Sequence, residues 1–151
     1  MPNSSGGRRR AIWSSKADVD DLLRERWRSA ACRTDWAHCG RQWDAVAVEL
    51  QRGLEALDAL RLGLRRGYPV LADYLSNRLY VMVEPGTGRV CRDVPGVRVL
   101  STGSQVLVPV SGAGTIAAHW VSPPRASRLV DSGKLAGALL QLLDVGQAVA
   151  S

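Results

Sequence analysis

The stretch from Val94 to Val121, VPGVRVLSTGSQVLVPVSGAGTIAAHWV, decides the fold. It reads as three short apolar strands, Val97 to Leu100, Gln105 to Val110 and Ala118 to Val121. Ser, Thr and Gly clusters between them supply turns and positive φ angles. Arranged as a meander, such strands turn one face to solvent at most, so helices before and after them must cover the other. The expected architecture is a two-layer α/β or α+β domain, a mixed sheet of about six strands under two or three helices.

Reading back towards the N-terminus, WDAVAVE (Trp43 to Glu49) has the short β-compatible side chains of a strand. A helix follows from Gln51 to Leu64, its buried stripe formed by Leu54, Ala56, Leu57, Leu60 and Leu64, and Arg65, Arg66 and Gly67 stop it. Pro69 to Asp73 and Leu79 to Val83 are two further strands around the polar turn Tyr74 to Arg78. This β-α-β-β order opens a split, ferredoxin-like or RNA-recognition-like layer. Further upstream, Asp18 or Asp20 caps an amphipathic helix to Ala31, with Val19, Leu22, Leu23, Trp27 and Ala30 on one side. Residues 32–42 read as a short connection whose Trp36 packs down on the sheet. In the other direction, residues 84–95 form a Gly/Pro-bearing excursion. Ser122-Pro123-Pro124 breaks the sheet, and a last helix runs from Gly133 to Leu143.

With 151 residues, 46% of them apolar and 23% charged, the chain has the makings of one globular domain, expected over residues 17–151 behind a basic leader, 1–16. No apolar run approaches the roughly 20 residues that span a bilayer, and the arginines of MPNSSGGRRRAIW precede no apolar signal core. A cytoplasmic protein with no membrane partner is the expectation. The three cysteines, Cys32, Cys39 and Cys91, are an odd set that suits reduced thiols. Four of the six net positive charges sit on Arg8, Arg9, Arg10 and Lys16, so the rest of the chain is only weakly basic. Arginine dominates lysine against an Ala, Gly, Val and Leu background, as GC-rich bacterial coding produces. That pattern weakens any functional reading of arginine as such.

Chemistry-bearing clusters are sparse. Cys32, His38 and Cys39 lack the Cys-x2-Cys pairing of a structural zinc site, and His119 stands alone in a strand. Gly103-Ser104 lies in a turn without the nucleophile elbow, and Gly112 and Gly114 precede a strand instead of opening a helix around a phosphate. Carboxylates for a divalent ion would have to come from Asp44, Glu49 or Asp73. Asp44 and Glu49 are an odd number of residues apart, which sends them to opposite faces of a strand. No metal and no cofactor are expected.

In order, Val46-Ala47-Val48-Glu49, a leucine-rich helix, Arg78-Leu79-Tyr80-Val81, Pro95-Gly96-Val97-Arg98-Val99, Gly103-Ser104-Gln105-Val106-Leu107-Val108-Pro109 and then His119-Trp120 form a series. It resembles the N-terminal domain of bifunctional DNA primase/polymerases, the prim-pol branch of the archaeo-eukaryotic primase superfamily, over roughly residues 43–121. The resemblance implies that the first strand should end in an Asp-x-Asp or Asp-x-Glu metal-binding pair. Ala47 and Glu49 stand there. It puts Arg78 where the family's nucleotide-contacting histidine would be, and Arg98 where its third carboxylate would be. Two arginines beside one carboxylate repel a divalent cation. The implied protein is a degenerate, non-catalytic relative that binds nucleotide or single-stranded DNA through Glu49, Arg78, Tyr80 and Arg98, the arginines on phosphates and Tyr80 stacking on a base. The alternatives are an active primase/polymerase with relocated metal ligands and a protein-interaction module with no nucleic-acid role. Glu49, Arg78 and Arg98 are expected to converge on one face as a cationic pocket.

Because the leader carries Ser, Gly and Arg without apolar periodicity, removing residues 1–12 is expected to leave the melting temperature unchanged. A fall of many degrees on thermal unfolding would mean that the arm is docked.

Overall fold

β2 (Asp44–Glu49) is the strand around which the protein is layered, because its alternating residues face two different cores. In the computed structural model, which describes residues 34–62, 67–109, 114–122 and 128–150, it is preceded by β1 (Thr34–His38) and followed at once by helix α1 (Leu50–Ala59). Then come β3 (Val70–Asp73), β4 (Arg78–Val83), a 3-10 turn (Gly88–Cys91) and β5 (Arg98–Leu100). β6 (Gln105–Pro109), β7 (Gly114–Thr115), β8 (Ala118–Ser122) and helix α2 (Ser132–Ala150) complete the order. The helix expected from Asp18 to Ala31 lies outside the described residues, as do Cys32, Leu64, Val110 and Gly112.

Six strands form one sheet in the order β5-β2-β4-β3-β8-β7, and β1 and β6 form a separate two-stranded ribbon. The α+β expectation holds. The sheet is not the mixed one expected, however: every strand pair is antiparallel, and among the described residues a parallel pairing occurs only as the isolated bridge between Val83 and Val130. β4 inserts between β2 and β3, so those two run parallel across it, the split β-α-β arrangement. Val46 and Val48 face the helix side with Val70, Ala72, Leu79, Val81 and Val83, where Ala56 and Leu57 of α1 and Leu135, Ala136 and Leu139 of α2 cover them. Ala45, Leu71, Met82, Leu100, Ala118 and Trp120 face the other way and meet Ala37, Val106 and Val108 of the ribbon. No helix among the described residues is long and apolar enough to cross a membrane.

Two further expectations need correction. The strands from Val94 to Val121 exist but do not form a meander: β5 pairs with β2 at one edge, β6 with β1 in the ribbon, and β8 with β3. The reason lies in burial, since Val106 and Val108 of β6 turn onto the face of the sheet instead of extending its edge. Residues 32–42 are not merely a connection either, because Thr34–His38 is a strand in register with β6, Trp36 opposite Leu107. Trp36 is 53% exposed on the ribbon's outer surface, and the tryptophan that packs into the core is Trp43, at 0%.

The ribbon is tied to the sheet where two turns touch. Gly40 (φ +102°) accepts no side chain there, because an added Cβ would stand 2.5 Å from the Thr102 amide nitrogen. Gly103 (φ +94°) has the same kind of backbone with nothing within 4 Å. Gly103→Ala is therefore expected to cost about 1 kcal/mol from conformation alone, and Gly40→Ala about 1–3 kcal/mol more. Chemical denaturation of the two variants measures the difference, and equal losses would show that the turn contact adds nothing.

Candidate functional site

The register of four strands builds a graded surface at one end of the sheet. Ala47 pairs with Arg98 on β5 and with Tyr80 on β4, and Tyr80 pairs with Leu71 on β3. One step further out, Arg78 lies between Glu49 on β2 and Asp73 on β3. Residues directly opposite in an antiparallel pair share a face, so these side chains emerge on the ribbon side. Their rows pass from the apolar Leu100, Ala45 and Met82, through Arg98, Ala47, Tyr80 and Leu71, to Glu49, Arg78 and Asp73.

All four site residues expected from sequence, Glu49, Arg78, Tyr80 and Arg98, share this face, with the Arg98 and Tyr80 Cα atoms two strand spacings apart, about 10 Å. Arg78 and Arg98 are exposed and Tyr80 is half-buried against the core. Burial pushes the Tyr80 phenol above its usual range, Asp73 adds to the rise, and Arg78 and Arg98 oppose it. The phenol thus senses both guanidiniums and one carboxylate. Asp73 is a neighbour that the sequence reading assigned only to a divalent ion. With it the formal charge of the group is zero rather than +1.

Both carboxylates are engaged elsewhere. Glu49 ends β2 in extended conformation (φ −55°, ψ 138°) and caps α1, accepting from the Gln51 N–H at 3.2 Å and the Arg52 N–H at 3.0 Å. Asp73 accepts from the N–H groups of Leu75 (3.0 Å) and Ser76 (3.1 Å), an Asx turn that starts the β3–β4 connection. Arg78 and Arg98 make no hydrogen bond or ion pair among the described residues. The third carboxylate of interest, Asp44, is on the helix side, as its odd separation from Glu49 requires. It is 1% exposed, and its Oδ2 accepts from Gly86 N–H (2.9 Å) and Gly88 N–H (3.3 Å).

Arg78 and Arg98 both stand exposed at this end of the sheet. A cleft of about 140 Å³ lies on the opposite, helix side, lined by apolar residues such as Leu54, Leu57, Tyr68 and Val70. His38 points outward from the ribbon, 3.3 Å from the Gln105 amide nitrogen. The neighbouring Cys39 is buried, its thiol pushed up to about 12 by burial and by Asp44. Cys91 is pushed up to about 11 by burial alone. These thiols are protonated at neutral pH and shielded, hence unreactive. Among the described residues no three His, Cys, Asp or Glu side chains gather as a metal-holding group.

Fold and site together define an α+β protein with a split β-α-β centre and an exposed Arg-Tyr-Arg surface on its sheet. No family model matches the chain, and neither do curated proteins or solved structures.

Since Glu49 caps a helix, Glu49→Ala is expected to lower stability by about 1 kcal/mol, and Glu49→Asp, which is too short to keep both bonds unchanged, by less. Urea unfolding measures both. A Glu49→Ala variant as stable as the parent would show that the cap is idle.

Proposed function

We propose that this chain is a degenerate, non-catalytic prim-pol-like protein that binds a nucleotide or single-stranded nucleic acid on the surface formed by Arg78, Tyr80 and Arg98. One observation carries the reading. Two guanidiniums without partners among the described residues stand on the same face as a half-buried phenol, while the adjacent carboxylates are turned into backbone caps. Guanidiniums in that state suit phosphate oxygens, and a phenol ring offers a stacking face to any base. The pairing of Ala47 with Arg98 and of Glu49 with Arg78 supports the resemblance, which requires those four positions to be close. It also supports the loss of chemistry, because a small side chain and two cations stand beside the remaining carboxylate.

A protein-interaction role is the second reading, favoured by Tyr74, Leu75 and Ile116. All three are exposed, and the backbones carrying them are joined where the Tyr74 N–H donates to the Ile116 carbonyl.

Fluorescence anisotropy with a labelled oligothymidylate and with a labelled nucleoside triphosphate, from 50 to 200 mM salt, tests the proposal. Arg78→Ala and Arg98→Ala should each weaken binding and each reduce the salt slope by about 0.7. Tyr80→Ala should weaken binding by about 1–3 kcal/mol with the slope unchanged, and Tyr80→Phe should retain it. No binding by the parent chain, or losses that ignore these three residues, overturns the reading. Primer synthesis in the presence of manganese would instead establish a working enzyme.

A further inference from the structure

Arg98 opens a strand of three residues at the edge of the sheet, bonded on one side to β2. Short edge strands fray readily, so something besides three pairings must hold this side chain in place. The chain just upstream turns tightly, Val97 N–H bonding the Val94 carbonyl at 3.2 Å, and Gly96 inside that turn has φ +79°.

Arg52, in the first turn of α1, reaches into this turn. Its Nη1 donates to the Pro95 carbonyl and its Nη2 to the Leu139 carbonyl of α2 at 3.2 Å, while its own N–H is the one capped by Glu49 Oε2. The Nη1 atom also lies 3.0 Å from where a Cβ on Gly96 would stand, so a side chain at that position would crowd the guanidinium. Arg52 Nε is buried without a partner, which leaves the two carbonyls as the hydrogen-bond acceptors of this cation. A charged donor bridging two backbone carbonyls on separate elements is worth more than a neutral hydrogen bond, and its planar fork fixes their relative position.

We propose that Arg52 is a positioning residue for Arg98: by clasping Pro95 to α2, it fixes the turn from which β5 starts and so sets the guanidinium of Arg98 beside Tyr80. Its part in binding rests on the nucleic-acid reading above, whereas the ordering of β5 does not.

The test measures amide hydrogen exchange and binding of the labelled oligothymidylate in Arg52→Ala, Arg52→Lys, Arg98→Ala and the double variant R52A/R98A. Exchange should accelerate at Arg98 and Leu100, the β5 amides on the side of their partners Ala47 and Ala45, in R52A while Val46 and Val81 stay protected. Binding should weaken about as far as in R98A, roughly fivefold. The double variant should bind no worse than R98A alone, because a residue that acts only through Arg98 has nothing left to position. R52K keeps the charge without the fork and should resemble R52A. Unchanged exchange at β5, or losses that multiply in the double variant, overturns the proposal. If R52A loses protection throughout, R52K decides by the same criteria. If the parent chain binds no oligonucleotide, the nucleic-acid reading falls and exchange alone decides: loss confined to residues 98–100 upholds the clasp, and unchanged protection removes it.

Discussion

The antiparallel register of β2 on β4, Asp44 opposite Val83 through Glu49 opposite Arg78, is the constraint on which the rest depends. A strand has period two, so a slip of one residue would exchange the faces of every side chain on it. Val46 and Val48 would turn to the ribbon, and Ala45 and Ala47 to the helices. The helix side would lose volume just where α1 and α2 pack, and the ribbon side would be overfilled. The same slip would break up the row Arg98-Ala47-Tyr80. Core packing therefore holds the candidate site in register without any site residue contributing to the core apart from the inner part of Tyr80.

A second regularity runs through the acidic residues. Asp44, Glu49, Asp73 and Asp131 each accept from backbone N–H groups at the end of a strand or the start of a turn or helix. Such local bonds satisfy donors that no ladder can reach, and removing one exposes the unmet donor as well as losing the bond. The chain thus uses its few well-placed carboxylates for folding. This leaves Arg78 without an ion pair among the described residues although carboxylates face it from both neighbouring strands, a position where cross-strand ion pairs ordinarily form.

These facts explain what could be read from the sequence. The β2-α1-β3-β4 succession was legible because valines and leucines keep period two or period 3.6 for long enough to reveal the faces. α1 nevertheless ends at Ala59, short of Leu64. β6 and β8 were legible as strands but not in their pairings. A run such as QVLVP shows that alternate residues are buried without showing which layer buries them. TDWAH was missed as β1 because it has one aromatic, one β-branched residue and a buried aspartate, which is the composition of a loop. In the site, alternation places positions 47 and 49, 78 and 80, and 98 on one face once the pairing is given. The roles of Glu49 and Asp73 were not legible, since an acidic residue at a strand end serves equally as a metal ligand, an ion-pair partner or a cap. The Asp-Tyr-Leu-Ser-Asn spelling of an Asx turn was the available signal for Asp73.

The neutral sum of charges in the site has a consequence for how it would work. At physiological ionic strength charges are screened over about 8 Å, comparable with the spacing of Arg78, Arg98, Glu49 and Asp73. Beyond that range the charges of these four side chains cancel, so the site itself does not steer a polyanion in. At contact the balance changes. Phosphate oxygens can reach the exposed guanidiniums, while each carboxylate stays turned towards two N–H dipoles that offset its charge. Binding as proposed on this surface would accordingly be short-ranged, with a small salt slope, and would lean on stacking at Tyr80 for a large share of its strength. Precise placement of the Arg98 guanidinium then matters more than the number of cations nearby, which gives the Arg52 clasp its functional weight.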